Sequence, residues 1–196
     1  VDAADSLREV RRRRLRSLTN THPDYLTSLA ELDGIFQAVA NDASRSELYD
    51  LALTVQRERV DVQTERFGPS DYRVTDAKLA VKDVEQRKEL GAEDRKSLVE
   101  ADALHDRADV LYQSGKFVEA LPLSTSAVKI RGKVLGKEHP DYATSLNNLA
   151  VLYVSMGDYR RAEPMCLEAT AICDKVLGKE HPDYACSLNN LAALYK

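Results

Sequence analysis

One stretch of this chain is written twice. VLGKEHPDYATSLNNLAVLY runs from Val134 to Tyr153, and VLGKEHPDYACSLNNLAALY runs from Val176 to Tyr195, 42 residues further on. Only Thr144/Cys186 and Val151/Ala193 differ between the copies. A chain that repeats itself at this period is built from small units that stack, because no single unit can bury its own apolar face. The fold therefore follows from reading one unit.

Pro140 suits a helix start, since its fixed φ matches the first turn and its missing N–H is not needed there. Asp141 places a negative charge at the positive end of the helix dipole. Tyr142, Leu146, Leu149, Ala150 and Tyr153 then recur at three- and four-residue spacing and mark one apolar helical face. Gly157 and Asp158 break that helix, and Asp158 is a suitable cap for the next. The second helix carries Ala162, Met165, Cys166, Ala169, Ile172, Cys173 and Val176 on one side, and Gly178 suits its end. The unit is helix–turn–helix.

Leu149, Ala150, Tyr153, Gly157, Tyr159, Ala162 and Ala169 resemble the tetratricopeptide repeat pattern. The 42-residue period and the string LGKEHPDYATSLNNLAVLY resemble its kinesin-light-chain-type subgroup, which also occurs in bacterial scaffold and signalling proteins. The resemblance is strongest from about Leu104 onward. It implies an all-α, right-handed superhelical array of antiparallel helix pairs, whose first helices line a concave groove.

The repeats divide the chain into two parts. Residues 92–196 hold regular repeats at about 97–136 and 139–178, with a truncated third at 181–196. Gly115/Gly157, Phe117/Tyr159, Ala120/Ala162 and Pro122/Pro164 align the first two. Residues 1–91 hold degenerate repeats. His22-Pro23-Asp24-Tyr25 repeats the start signal, with helices expected over 23–41 and 45–66. Gly68-Pro69-Ser70-Asp71-Tyr72 is an eroded copy of it. The spacing then fits neither one period nor two, which predicts a bridging helix over about 71–90. Ahead of these, a helix is expected over 3–19. On it Arg11, Arg12, Arg13, Arg14 and Arg16 form a basic block. Such a block contacts nucleic acid or an acidic partner, or is a solvated face balanced by nearby acids. The solvated face is the preferred reading, and with no aromatic residues interleaved a single-strand stacking platform is not expected.

Little in the chain points to catalysis. No HExxH, CxxC, GxSxG or glycine-rich phosphate loop occurs. Three of the four histidines, His22, His139 and His181, sit in HPDY strings, which is the placing of a repeated cap and not of a metal cluster. No cofactor and no metal are expected. A net charge of −4 gives no general case for nucleic acid or an anionic membrane. No apolar run approaches the ~20 residues that span a bilayer. Cys166, Cys173 and Cys186 are expected to be small core residues in a reducing compartment, which places the protein in the cytoplasm. Cys166 and Cys173 lie about 10 Å apart along one helix, too far for a disulfide.

The asparagines carry the functional expectation. Asn147-Asn148 and Asn189-Asn190 sit mid-helix, where asparagine is a mediocre choice. The resemblance implies that asparagines of the LNNLA string hydrogen-bond the backbone of an extended peptide in the groove, which an amide can do without reading a side chain. Hydrogen bonding between stacked repeats explains them equally well. His105 and Asp106 replace the pair one repeat earlier. Val151, Val154 and Ser155 are further groove candidates, with Arg160 and Arg161 near its rim. The expected function is thus a non-catalytic scaffold that binds a protein or peptide partner. A regulatory repeat segment of a larger enzyme, such as a caspase-like protease or kinase, is the alternative. Because the sequence stops midway through a repeat, it is expected to be a fragment. Leu188, Leu191, Ala192 and Leu194 would then leave an uncovered apolar stripe, which predicts self-association.

Overall fold

The computed structural model describes residues 46–195. Among them are seven helices and no strand: α1 (Ser46–Phe67), α2 (Tyr72–Glu89), α3 (Ala92–Gln113), α4 (Phe117–Val134), α5 (Pro140–Ser155), α6 (Tyr159–Val176) and α7 (Pro182–Ala193). The expected helices over 3–19 and 23–41, the start signal at His22 and the basic block Arg11 to Arg16 lie outside the described residues. The described residues fall into two compact units that part between Arg95 and Lys96.

In the first unit α1 and α2 form an antiparallel pair. Ala52, Val55 and Val62 of α1 are buried, as are Val74, Ala77 and Val84 of α2. Arg57 reaches Glu85 at 3.0 Å and Lys88 reaches Asp50 at 2.6 Å, so the two helices run in opposite directions. The turn between them needs Gly68, whose φ of +84° is costly for a residue with a Cβ. Asp71 then caps α2 by accepting the Arg73 backbone N–H at 3.0 Å. The Arg73 guanidinium folds back onto the same carboxylate at 2.7 Å and lies 3.3 Å from the Phe67 ring centroid. Those two hydrogen bonds, the side-chain one first, hold the Asp71 carboxyl down at about 2.

The second unit contains α3 from Lys96 onward and α4 to α7. Its organising element is α5, with nine buried residues: Tyr142, Ala143, Ser145, Leu146, Asn147, Leu149, Ala150, Leu152 and Tyr153. The predicted stripe Tyr142, Leu146, Leu149, Ala150 and Tyr153 is buried throughout. It packs in two clusters against α6, Tyr142 and Leu146 against Ala169, Ile172 and Cys173, and Leu149, Ala150 and Tyr153 against Ala162 and Cys166. Burying one leucine of this kind is worth about 2 kcal/mol. The small residues of α6 let the larger ones of α5 approach closely.

The caps work as the strings predict. Pro140 and Pro182 open α5 and α7. Just ahead of them, His139 Nδ1 accepts the Asp141 backbone N–H at 3.2 Å, and His181 Nδ1 accepts that of Asp183 at 3.1 Å. Asp158 caps α6 by accepting the Arg161 N–H at 3.1 Å. Pro122 and Pro164 lie inside α4 and α6, each at the sixth helical position, and both helices continue through them. No helix among the described residues is long and apolar enough to cross a membrane.

One expectation is corrected. Cys166 and Cys173 are buried in the core, and burial pushes both thiols up, but Cys186 is exposed. It stands where α5 has Thr144, which is exposed too. The substitution between the two copies falls on a solvent position, so the cysteine there says nothing about the core.

Candidate functional site

A cleft of about 240 Å³ opens in the second unit between α3 and α5. Asp109, Tyr112 and Gln113 of α3 line one side, at the three- and four-residue steps that share a helix face. Asn148, Val151 and Leu152 of α5 line the other in the same register. Leu152 and Ala108 belong to a small core cluster with Ala120, so part of the lining is apolar and fixed. Buried Ser124 of α4 completes it. The Tyr112 ring is held by Phe117, with ring centroids 5.4 Å apart and the planes tilted by 47°. Among the lining residues Asp109 carries the one charge.

Of the residues singled out from the sequence, three come together here. His105 is half-buried, with Nε2 3.4 Å from Asn148 Nδ2 and 3.6 Å from Asp109 Oδ2. Val151 is half-buried on the cleft wall. Asp106, next along α3, is exposed.

Asn147 is turned elsewhere. It is 9% exposed, and its Nδ2 donates to Ser187 Oγ of α7 at 2.6 Å. Its Oδ1 has no hydrogen-bond partner among the described residues. The adjacent asparagines therefore differ in environment, because one residue on a helix is a rotation of ~100°. On α7 Asn189 is exposed and Asn190 half-buried. Val154 packs against the Leu149 cluster, and the exposed Ser155 hydroxyl donates to the Val151 carbonyl of its own helix at 2.9 Å. Arg160 is exposed, while Arg161 pairs with Asp158 and lies 4.5 Å from the Tyr153 ring centroid. Leu188, at 41% exposure, and Ala192 form the open side of α7, whereas Leu191 and Leu194 are half-buried against α5 and α6.

Asp109, Tyr112 and Gln113 were not among the sequence candidates. The signal for them is helical periodicity alone: they follow His105 by four, seven and eight residues and so share its side of α3.

The repeats meet through buried serines. Ser145 Oγ donates to the Asp141 carbonyl at 2.8 Å and accepts from Arg131 at 2.6 Å. Arg131 also reaches Asp102 of α3 at 2.7 Å, so one buried guanidinium ties α3, α4 and α5 together. Ser187 Oγ donates to the Asp183 carbonyl at 2.9 Å and accepts from Asn147, with Cys173 Sγ 3.4 Å away.

A family model described as tetratricopeptide repeat matches residues 99–173 and 153–196. No curated protein sequence matches this chain. Among solved structures, nearly identical TPR-like repeats from Podosopora anserina, carrying the name kinesin light chain, align at 23% identity and a TM-score of 0.41, covering 98% of this chain and 76% of that one. BtubC (BKLC) from P. vanneervenii aligns at 21% identity and a TM-score of 0.47, covering 100% of this chain and 84% of that one.

Proposed function

This chain belongs to the tetratricopeptide repeat family, and from that premise we propose that it is a non-catalytic scaffold holding an extended segment of a partner protein in the cleft between α3 and α5. The observation that carries this reading is the half-buried Asn148 amide on the cleft wall, with its Nδ2 3.4 Å from His105 of α3. An amide there can donate to a peptide carbonyl and accept from a peptide N–H, which suits any sequence with a backbone. Val151 and the fixed Tyr112 ring supply apolar area beside it. Asn190 and Asn189 of α7 continue the asparagine row, and Asp106 extends the α3 side.

The test begins with random short peptides displayed on phage and selected against the purified full chain. Enriched peptides are then titrated by fluorescence anisotropy. Asn148→Ala is expected to weaken them about tenfold, the worth of one or two hydrogen bonds in a half-buried site, with helical circular dichroism unchanged. Thr144→Ala, on the exposed side of α5, is expected to leave them untouched. Peptides that bind Asn148→Ala as tightly as the parent would move the site off this cleft.

A further inference from the structure

Twice among the described residues an arginine sits on both an aromatic ring and a carboxylate close to it in the chain. Arg73 bonds Asp71 at 2.7 Å with its guanidinium 3.3 Å from the Phe67 ring centroid. Arg161 bonds Asp158 at 2.5 Å with its guanidinium 4.5 Å from the Tyr153 ring centroid. The cleft repeats two parts of this arrangement. Asp109 and Tyr112 stand one helical turn apart on the α3 wall, and Phe117 fixes the ring. No lysine or arginine lines the cleft. His105, one turn before Asp109 on the same helix, has its Nε2 3.6 Å from the carboxylate, beyond hydrogen-bond distance. Asp109 and the Tyr112 ring thus offer an incoming cation a carboxylate and an aromatic face on one wall, and no lysine or arginine of the lining takes them up.

We propose that the cleft between α3 and α5 takes an arginine side chain of the partner segment, its guanidinium paired with Asp109 and stacked on Tyr112. The proposal rests on the peptide-binding reading above and gives that peptide its chemistry. Arginine fits better than lysine because its planar fork meets a carboxylate through two hydrogen bonds while its face lies on a ring. The volume agrees. About 240 Å³ is below the ~300 Å³ at which sites for whole small molecules begin, but it suits one long side chain entering from a backbone held by Asn148. Asp106, exposed one turn earlier on α3, adds negative potential at the approach.

The phage selection on the full chain tests this directly, with enriched peptides resynthesised with their basic residue as arginine, lysine, glutamine or glutamate. Enrichment of arginine is expected. Exchange of that arginine for glutamine is expected to cost about tenfold in affinity, the scale of a charge-assisted pair. The same tenfold should vanish when the peptides are titrated against Asp109→Asn, because the carboxylate is then already gone. Tyr112→Leu should narrow the preference for arginine over lysine. Peptides that lose binding on Asn148→Ala yet show no preference for arginine would overturn this proposal and leave the groove reading standing. Peptides indifferent to both Asn148→Ala and Asp109→Asn, or no enrichment at all, would overturn the two together.

Discussion

Where α4 meets α5, Arg131 bonds Ser145 and Gly132 lies under the Tyr142 ring; where α6 meets α7, 42 residues on, the same places hold Cys173 and Asp174. The serine is kept at both junctions, and so is its bond to the carbonyl one turn back. Its second partner is not. At the first junction it comes from the second helix of the preceding repeat, as Arg131. At the other it comes from the first helix, as Asn147, with Cys173 alongside. His105 stands where Asn147 stands one period later, and with Arg131 on Ser145 its ring lies against Asn148 and Asp109 instead. Stacking thus dictates where a polar group must be satisfied and leaves open which helix does it. The tyrosines differ in the same way. Tyr142 is buried at 5% exposure, whereas Tyr184 is only half-buried.

The largest expected effect separates the two serine partners. Arg131→Ala leaves Ser145 and Asp102 without the guanidinium and removes a buried aliphatic stem, at a cost of about 3 kcal/mol in urea unfolding. Cys173→Ala should cost about 1 kcal/mol, since Asn147 still holds Ser187. Equal losses would mean that the junctions are energetically alike and the comparison fails.

Gly132 gives a smaller contrast. A Cβ built there comes 2.8 Å from Tyr142 Cε2, an atom of a side chain only 5% exposed. Overpacking of this sort outweighs the helix preference for alanine, so Gly132→Ala is expected to destabilise by about 2 kcal/mol. Asp174→Ala, at the exposed equivalent, should change stability by less than about 0.5 kcal/mol. Urea midpoints of the two variants decide it.

Tyr142→Phe has a small effect at neutral pH that sharpens into a pH dependence. Burial first, and then the hydrogen bond of the hydroxyl to Glu168 at 3.1 Å, push the Tyr142 pKa from 10.0 up to about 12. The folded state therefore keeps this proton after the unfolded chain has lost it. The stability contribution is complete below pH 10 and is lost as pH rises toward about 12. Tyr142→Phe should flatten the fall of stability across that window, while costing under about 1 kcal/mol at pH 7.

Most of the second unit was legible because the period aligns residues that do the same work. The histidine caps, the buried stripe of α5 and the Ala/Cys face of α6 all follow from spacing. Two kinds of feature were not legible. The first depends on a single helical step: Asn147 and Asn148 are indistinguishable in composition, yet one joins the stack and the other lines the cleft. The second depends on what lies opposite. Asp109, Tyr112 and Gln113 matter because α5 faces them, and no repeat signature marks those positions. Arg131 belongs to this class as well, since a charged residue late in a helix reads as solvated until Asp102 and Ser145 are seen around it.

The written-twice string also bears on how the chain finds its fold. With Val134–Tyr153 and Val176–Tyr195 so nearly the same, α4 meets two candidates offering the same tyrosine, serine and leucines. The nearer is tethered through residues 135–139 and the farther through 135–181. Closing the longer tether costs only about 2 kcal/mol more. The address of each helix is thus set by leash length more than by recognition. During synthesis α5 emerges before α7 exists, and the choice is made by order of arrival. A whole chain released from denaturant has no such order, so refolding should show a sorting phase that synthesis lacks.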